Sequence, residues 1–167
     1  SDLNSGSIIF DGIDDTLPVS ATAANLNLSD SFTIQMILKP YVVSPTVTNS
    51  TNKGLFLCQS NIQGGMNRYL HILIREQVFM MGFYSNDLYD YGHPLTANTW
   101  YIVNFRFNNS TKLRSIWVNG NKNVEDNAGT NMTLDDGLVT ICGVYNQPFN
   151  GELASTLVYN RALTDNE

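Results

Sequence analysis

Basic side chains are scarce and scattered in this sequence. Lys and Arg number 9 against 15 acids, giving a formal net charge of -6, and they form no cluster. Phosphate recognition needs clustered cations, so nucleic acid is excluded as a partner. Long apolar runs are missing too: nothing approaches the roughly twenty residues of a membrane span, so no membrane insertion is expected. The opening SDLNSG lacks the basic and apolar regions of a secretory signal. Cysteine occurs only at Cys58 and Cys142, too few for a disulfide framework and wrongly spaced for a metal site. Both lie in apolar stretches (LFLCQS and VTICGV) and are expected to be buried free thiols.

Catalytic patterns are absent as well. The glutamates are Glu76, Glu125, Glu152 and Glu167, and none has an acid two positions on, so no strand carries alternate carboxylates facing one cleft. His71 and His93 have no G-x-S-x-G nucleophile to serve, and His71 reads as a surface or satisfied core histidine. The sequence reads as a non-enzyme.

What is present is a polar, weakly charged surface over alternating apolar residues. Charged residues make up 14% of the chain, while Asn, Ser and Thr are frequent. No segment of roughly ten residues or more shows a helical period. Instead Phe32, Ile34, Met36 and Leu38 alternate with polar neighbours, as do Tyr101, Val103, Phe105 and Phe107. Such alternation marks strands with one face on a core. Further strands are expected in SIIFDG, DTLPVS, GLFLCQS, YLHILIRE, VFMMGFYS, KLRSIWV, LVTICGV and ELASTLVYN, separated by Gly, Asn and Asp turns. Asn119-Gly120 is the sharpest hairpin signal. Many short strands in one chain of 167 residues imply a single all-β sandwich or barrel. The closing TDNE sets Thr164 three positions before Glu167, a capping box, so the chain reads as a domain cut from a longer protein. Sequons at Asn27, Asn49, Asn108, Asn109 and Asn131 permit a glycosylated extracellular protein.

Several segments recur in order in one known family. IIFDGIDDTLPV, LNLSDSFTIQMILKP, PLTANTWYIVNFRFN, SIWVNGN and FNGELASTLVYNRALTDNE resemble the laminin-G-like, concanavalin A-like jelly-roll domains from about residue 6 to residue 167. The resemblance implies a jelly-roll sandwich of two antiparallel sheets, one concave and one convex. It also implies carbohydrate or protein recognition by rim loops or by the concave face. The chain departs from the family's pattern at Ala154 and Ser155, where an acidic pair is common, at Leu157, where a basic residue is usual, and at Ile37, where Trp is frequent.

The resemblance turns attention to YSNDLYDYGH, read as a rim loop between two strands. Sugar recognition needs flat aromatic faces against the C–H side of a pyranose, and polar groups for its hydroxyls. Tyr84, Tyr89 and Tyr91 offer the faces, and Asn86, Asp87, Asp90 and His93 the polar groups. The competing reading has Leu88 and one or two of these tyrosines plugging the sandwich rim. VYNQPFNG adds Tyr145, Asn146, Gln147 and Phe149, while SNIQGGMNRYL, with Asn61, Gln63, Asn67 and Arg68, reads as an ordinary glycine turn. No cofactor is required. Structural calcium stays an open candidate at Asp11, Asp14 and Asp15, with Asp135 and Asp136 a second acidic turn. The expectation is a non-catalytic, lectin-like domain displayed on a cell or virion surface or secreted, with a glycan or surface glycoprotein as partner. The alternative is a structural or adhesion domain in a virion or cell-surface assembly. Oligomeric state is left open.

Overall fold

Alternation decides the architecture, because each amphipathic strand must lay its apolar face on another sheet. A computed structural model describes residues 2–4, 6–46, 52–59, 65–134, 137–144 and 147–167. Its strands are β1 (Asp2–Asn4), β2 (Ser7–Asp11), β3 (Leu17–Thr22), β4 (Phe32–Pro40), β5 (Lys53–Gln59), β6 (Tyr69–Arg75), β7 (Val78–Gly82) and β8 (Asp87–Tyr89). They continue with β9 (Tyr101–Asn108), β10 (Leu113–Val118), β11 (Asn121–Asn127), β12 (Leu138–Ile141), β13 (Gly143–Val144), β14 (Gln147–Pro148) and β15 (Asn150–Tyr159). The described residues contain no helix.

A seven-stranded sheet, β1-β2-β15-β4-β9-β10-β11, lies over a six-stranded sheet, β3-β12-β5-β6-β7-β8, with β13 and β14 forming a small ribbon. All pairings are antiparallel. The expected sandwich is formed. Phe32, Ile34, Met36 and Leu38 from β4 and Val103, Phe105 and Phe107 from β9 fill the core from one side. Leu70, Ile72 and Ile74 from β6 and Phe79 and Met81 from β7 fill it from the other. The sheets are joined edge to face by Phe79 on Phe105, with centroids 5.9 Å apart, and by Phe83 on Phe107 at 5.0 Å. Such pairs add about 0.5–1.5 kcal/mol each beyond their buried area. Cys58 and Cys142 are buried free thiols, and burial pushes the Cys58 thiol up to about 12.

Tight turns set the strand order. Asn119 and Gly120 both have positive φ (52° and 82°), as a two-residue hairpin between β10 and β11 requires. The same geometry recurs at Glu76-Gln77 (52° and 65°), between β6 and β7, and at Tyr84-Ser85 (57° and 56°), between β7 and β8. The second of these corrects the sequence reading. Residues 84–89 do not leave the sheet as a rim loop: they turn within two residues, Phe83 N–H donating to the Asn86 carbonyl at 2.9 Å, and return as the edge strand β8. Only residues 90–93 turn away from it.

Candidate functional site

In β6 the even-numbered residues Leu70, Ile72 and Ile74 face the core, so Tyr69, His71, Leu73 and Arg75 face outward. The register extends this into rows across the sheet. Thr140, Leu57, His71, Gly82 and Asp87 form one row. Gly54, Leu73, Met80 and Tyr89 form the next. Leu73 and Met80 are buried although they point away from the core, with Leu57 and Tyr89 packed on them, so this outer face has its own apolar floor.

Gly82 sits between a histidine and an aspartate for a steric reason. A Cβ there would lie 2.2 Å from His71 Nε2 and 2.4 Å from Asp87 Oδ1, so only glycine lets these side chains close over the strand. They approach to 3.5 Å, an electrostatic contact too long for a good hydrogen bond. His71 is only 8% exposed, and burial lowers its pKa, opposed by Asp87 and reinforced by Arg75. The neutral ring with its proton on Nε2 suits the facing carboxylate and leaves Nδ1 as an acceptor. His71 Nδ1, Asp87 Oδ1 and Arg75 Nε are buried and have no hydrogen-bond partner.

Tyrosines flank these rows. Tyr91 is 58% exposed and stacks on Tyr89, with centroids 4.9 Å and planes 6° apart. Arg75 Nη1 donates to the Tyr89 hydroxyl at 3.2 Å. At the other end Tyr84, 47% exposed, leans on Tyr69 at 5.1 Å. Tyr84, Asp87, Tyr89 and Tyr91 thus gather on or beside one face, joined by His71, Leu73, Arg75, Met80 and Gly82, which the sequence reading had not marked as site residues. A signal for His71 and Arg75 existed: in YLHILIR they fall with Tyr69 on alternate positions.

Other sequence candidates serve the fold. Asn86 donates to Asn67 Oδ1 (3.2 Å) and the Ala128 carbonyl (2.9 Å), and it accepts two bonds from Arg114. Arg114 is itself buried and paired with Asp126. Asp90 is buried, holding Asn123 Nδ2 at 2.7 Å and His93 Nδ1 at 2.6 Å, which ties β8 to β11. Leu88 plugs the core, as the competing reading expects. Phe149 is fully buried against Phe10, so its ring is core and faces no ligand. Tyr145, Asn146, Asn61, Gln63, Asp135 and Asp136 lie outside the described residues.

At the calcium candidate, carboxylate oxygens of Asp11, Asp14 and Asp15 lie within 4.8 Å of one another. Asp11 Oδ1 accepts the Ile13 N–H at 2.7 Å and Asp15 Oδ2 the Asp11 N–H at 3.1 Å, so both carboxylates serve the turn. Among the described residues no buried unpartnered side-chain atom lies at this turn. On the opposite sheet Glu152 is buried beneath Lys39, Ser7 Oγ (2.7 Å) and Tyr41 OH (2.7 Å), an arrangement that holds its carboxyl at about 2. A pocket of about 110 Å³ beside Trp117 is lined by Thr33, Asn104, Arg106 and the 163–167 segment, with Arg106 bound to Leu163 O and Asp165. In that segment the Glu167 carboxylate accepts the Thr164 N–H at 3.0 Å, so the capping contact is made.

Comparisons with known proteins agree with this architecture. Residues 11–167 match the family Laminin_G_3, described as the concanavalin A-like lectin/glucanases superfamily. Among solved structures, the chain is similar to the Ruminococcus gnavus IT-sialidase CBM40 bound to α2,3-sialyllactose, at 15% identity and TM-score 0.68, covering 96% of this chain and 94% of that one. It is similar to a heptameric SAP-like pentraxin from Limulus polyphemus (15% identity, TM-score 0.68, 95% and 77% covered). It also resembles a leech intramolecular trans-sialidase (15% identity, TM-score 0.71), covering 97% of this chain but 26% of that enzyme. At these identities the likeness shows the fold. A search of curated proteins finds no significant match.

Proposed function

Because the chain belongs to the concanavalin A-like lectin/glucanases superfamily, we propose that it is a non-catalytic glycan-binding module whose contact surface is the outer face of the six-stranded sheet. The observation that carries this reading is the trio of buried, unpartnered atoms on one face: His71 Nδ1, Asp87 Oδ1 and Arg75 Nε. An unsatisfied buried polar group costs about 1–3 kcal/mol, so three together describe a surface waiting for partners. Sugar hydroxyls donate and accept, and so match the mixed set. Exposed Tyr84 and Tyr91 supply aromatic faces at either end, and Leu73 and Met80 an apolar floor. Reaching the buried atoms takes side-chain rearrangement of the kind that commonly accompanies binding. Carbohydrate-binding neighbours of the same fold support the reading. Display outside the cell fits a domain that reads free or surface-bound glycans.

A glycan array probed with this domain, with and without calcium, tests the proposal. Binding that falls about tenfold or more in Tyr84→Ala/Tyr91→Ala supports it. Absence of binding to any glycan at millimolar concentration, in both conditions, overturns it. A second reading, docking on a protein, draws on exposed Ile102 and Leu157, which lie on the outer face of the other sheet. A change in sedimentation on Ile102→Lys would favour that alternative.

A further inference from the structure

The glycan-binding reading leaves the chemistry of the sugar open, and the arginines bear on it. Arg114 meets Asp126 through two bonds, at 2.7 and 2.9 Å. Arg161 meets Glu167 through two, and Arg106 meets Asp165 at 2.7 Å. Arg75 differs. It is half-buried at the β6–β7 turn end of the proposed face, and its Nη1 bonds only the neutral Tyr89 hydroxyl. Its Nε is buried without a partner, and its Nη2 makes no hydrogen bond among the described residues and is not buried. Neither Glu76, its chain neighbour, nor Asp87 comes within ion-pair distance of it.

A second cation lies at the same end of the neighbouring strand. Lys53 opens β5 opposite Ile74, the residue before Arg75, so it stands at the rim on Ile74's side of the sheet and not on the proposed face itself, and it pairs with no carboxylate among the described residues. Burial lowers its pKa with no opposing charge to restore it. Next to it Asn52 is buried with its Oδ1 unpartnered. A desolvated guanidinium is retained most readily where a carboxylate completes it, since its planar fork matches two carboxylate oxygens.

We infer that the glycan bound on this face is an acidic sugar, and that its carboxylate pairs with Arg75 at the Lys53 end while its hydroxyls meet the His71–Asp87 end. This rests on the glycan-binding reading and narrows it. One carboxylate satisfies one arginine, so the sparse basic charge of the chain is no obstacle: a polyanion would need more cations, and a monoacidic sugar does not.

The test compares each acidic probe with its neutral counterpart by calorimetry: 3′-sialyllactose against lactose, and glucuronic-acid-terminated against glucose-terminated oligosaccharides. At least one acidic probe is expected to bind about tenfold more tightly than its counterpart. In Arg75→Gln that preference shrinks to about twofold or less, with the unfolding midpoint unchanged, and Arg75→Lys restores part of it. Neutral sugars binding as well as acidic ones overturns the inference and leaves the glycan-binding reading standing. A preference that survives in Arg75→Gln also overturns it. Failure of every sugar, acidic or neutral, overturns both.

Discussion

On the outer face of the seven-stranded sheet the charged side chains of β4, β9 and β11 pair with acids or bases beside them. Lys39 reaches Glu152, Arg106 binds Asp165 and lies near Glu125, Lys122 shares those two acids, and Gln35 donates to Asn104. On the outer face of the six-stranded sheet His71, Arg75 and Asp87 each keep a buried atom with no partner. Both faces use antiparallel strands with the same alternation, so the difference lies in side-chain choice. One face is closed to new partners by its own bonds. The other keeps its bonding capacity for something that arrives.

The sharpest way to break this comparison is to open the satisfied face. Glu152→Ala strands Lys39, Ser7 and Tyr41, and is expected to cost about 3 kcal/mol in chemical denaturation without altering glycan affinity. The same pair sets an acid limit. Glu152 is held at about 2, below its ordinary 4.5, so its contribution is fully present above about pH 4.5 and is lost as pH falls towards 2. Thermal scans across that window should show the wild type losing stability that Glu152→Gln never had.

The reverse experiment closes the unsatisfied face. His71→Leu removes a buried ring whose Nδ1 lacks a partner and whose Nε2 makes only a long contact with Asp87, so stability should hold or rise by up to about 1 kcal/mol. Glycan affinity should meanwhile fall about tenfold. Loss of stability comparable to that of Glu152→Ala would mean that the two faces are built alike.

Gly82→Ala is a gentler probe, because the nearest atoms the added methyl meets are side-chain ends of His71 and Asp87 and not backbone. Affinity should drop about threefold while denaturation changes by less than about 1 kcal/mol. The smallest effect is a titration. His71 has its pKa lowered chiefly by burial, so stability from its neutral form is present above about pH 6.5 and declines as pH falls through its folded pKa. Imidazole NMR should place His71 below the ordinary value, and Asp87→Asn should push it lower still.

The sandwich was legible because strand alternation is a local property: Phe32 to Leu38 and Tyr101 to Phe107 declare their buried face without help from the rest of the chain. The hairpin at Asn119-Gly120 was legible too, since those residues accept positive φ at little cost. The turns at Glu76-Gln77 and Tyr84-Ser85 were not. They force positive φ on residues without that preference, and pairing with the neighbouring strand overrides the local signal. That hid β8 and made an edge strand resemble a loop. His71 and Arg75 were readable in the alternation of YLHILIR, but Leu73 on the same outward face blurred the contrast with the core. Gly82 acquires meaning only when the register sets His71 on one side of it and Asp87 on the other. Phe149 looked available by its type, and only its packing on Phe10 shows it is core.

Methionine methyl NMR tests the central claim most directly, since Met80 lies in the floor of the proposed face and Met36 and Met81 lie in the sandwich core. The domain would be titrated with the tightest-binding glycan from the array. The account predicts that the Met80 methyl shifts with saturation while those of Met36 and Met81 stay in place. A saturable titration that leaves Met80 unmoved and instead shifts the indole of Trp117, on the opposite sheet, would contradict it.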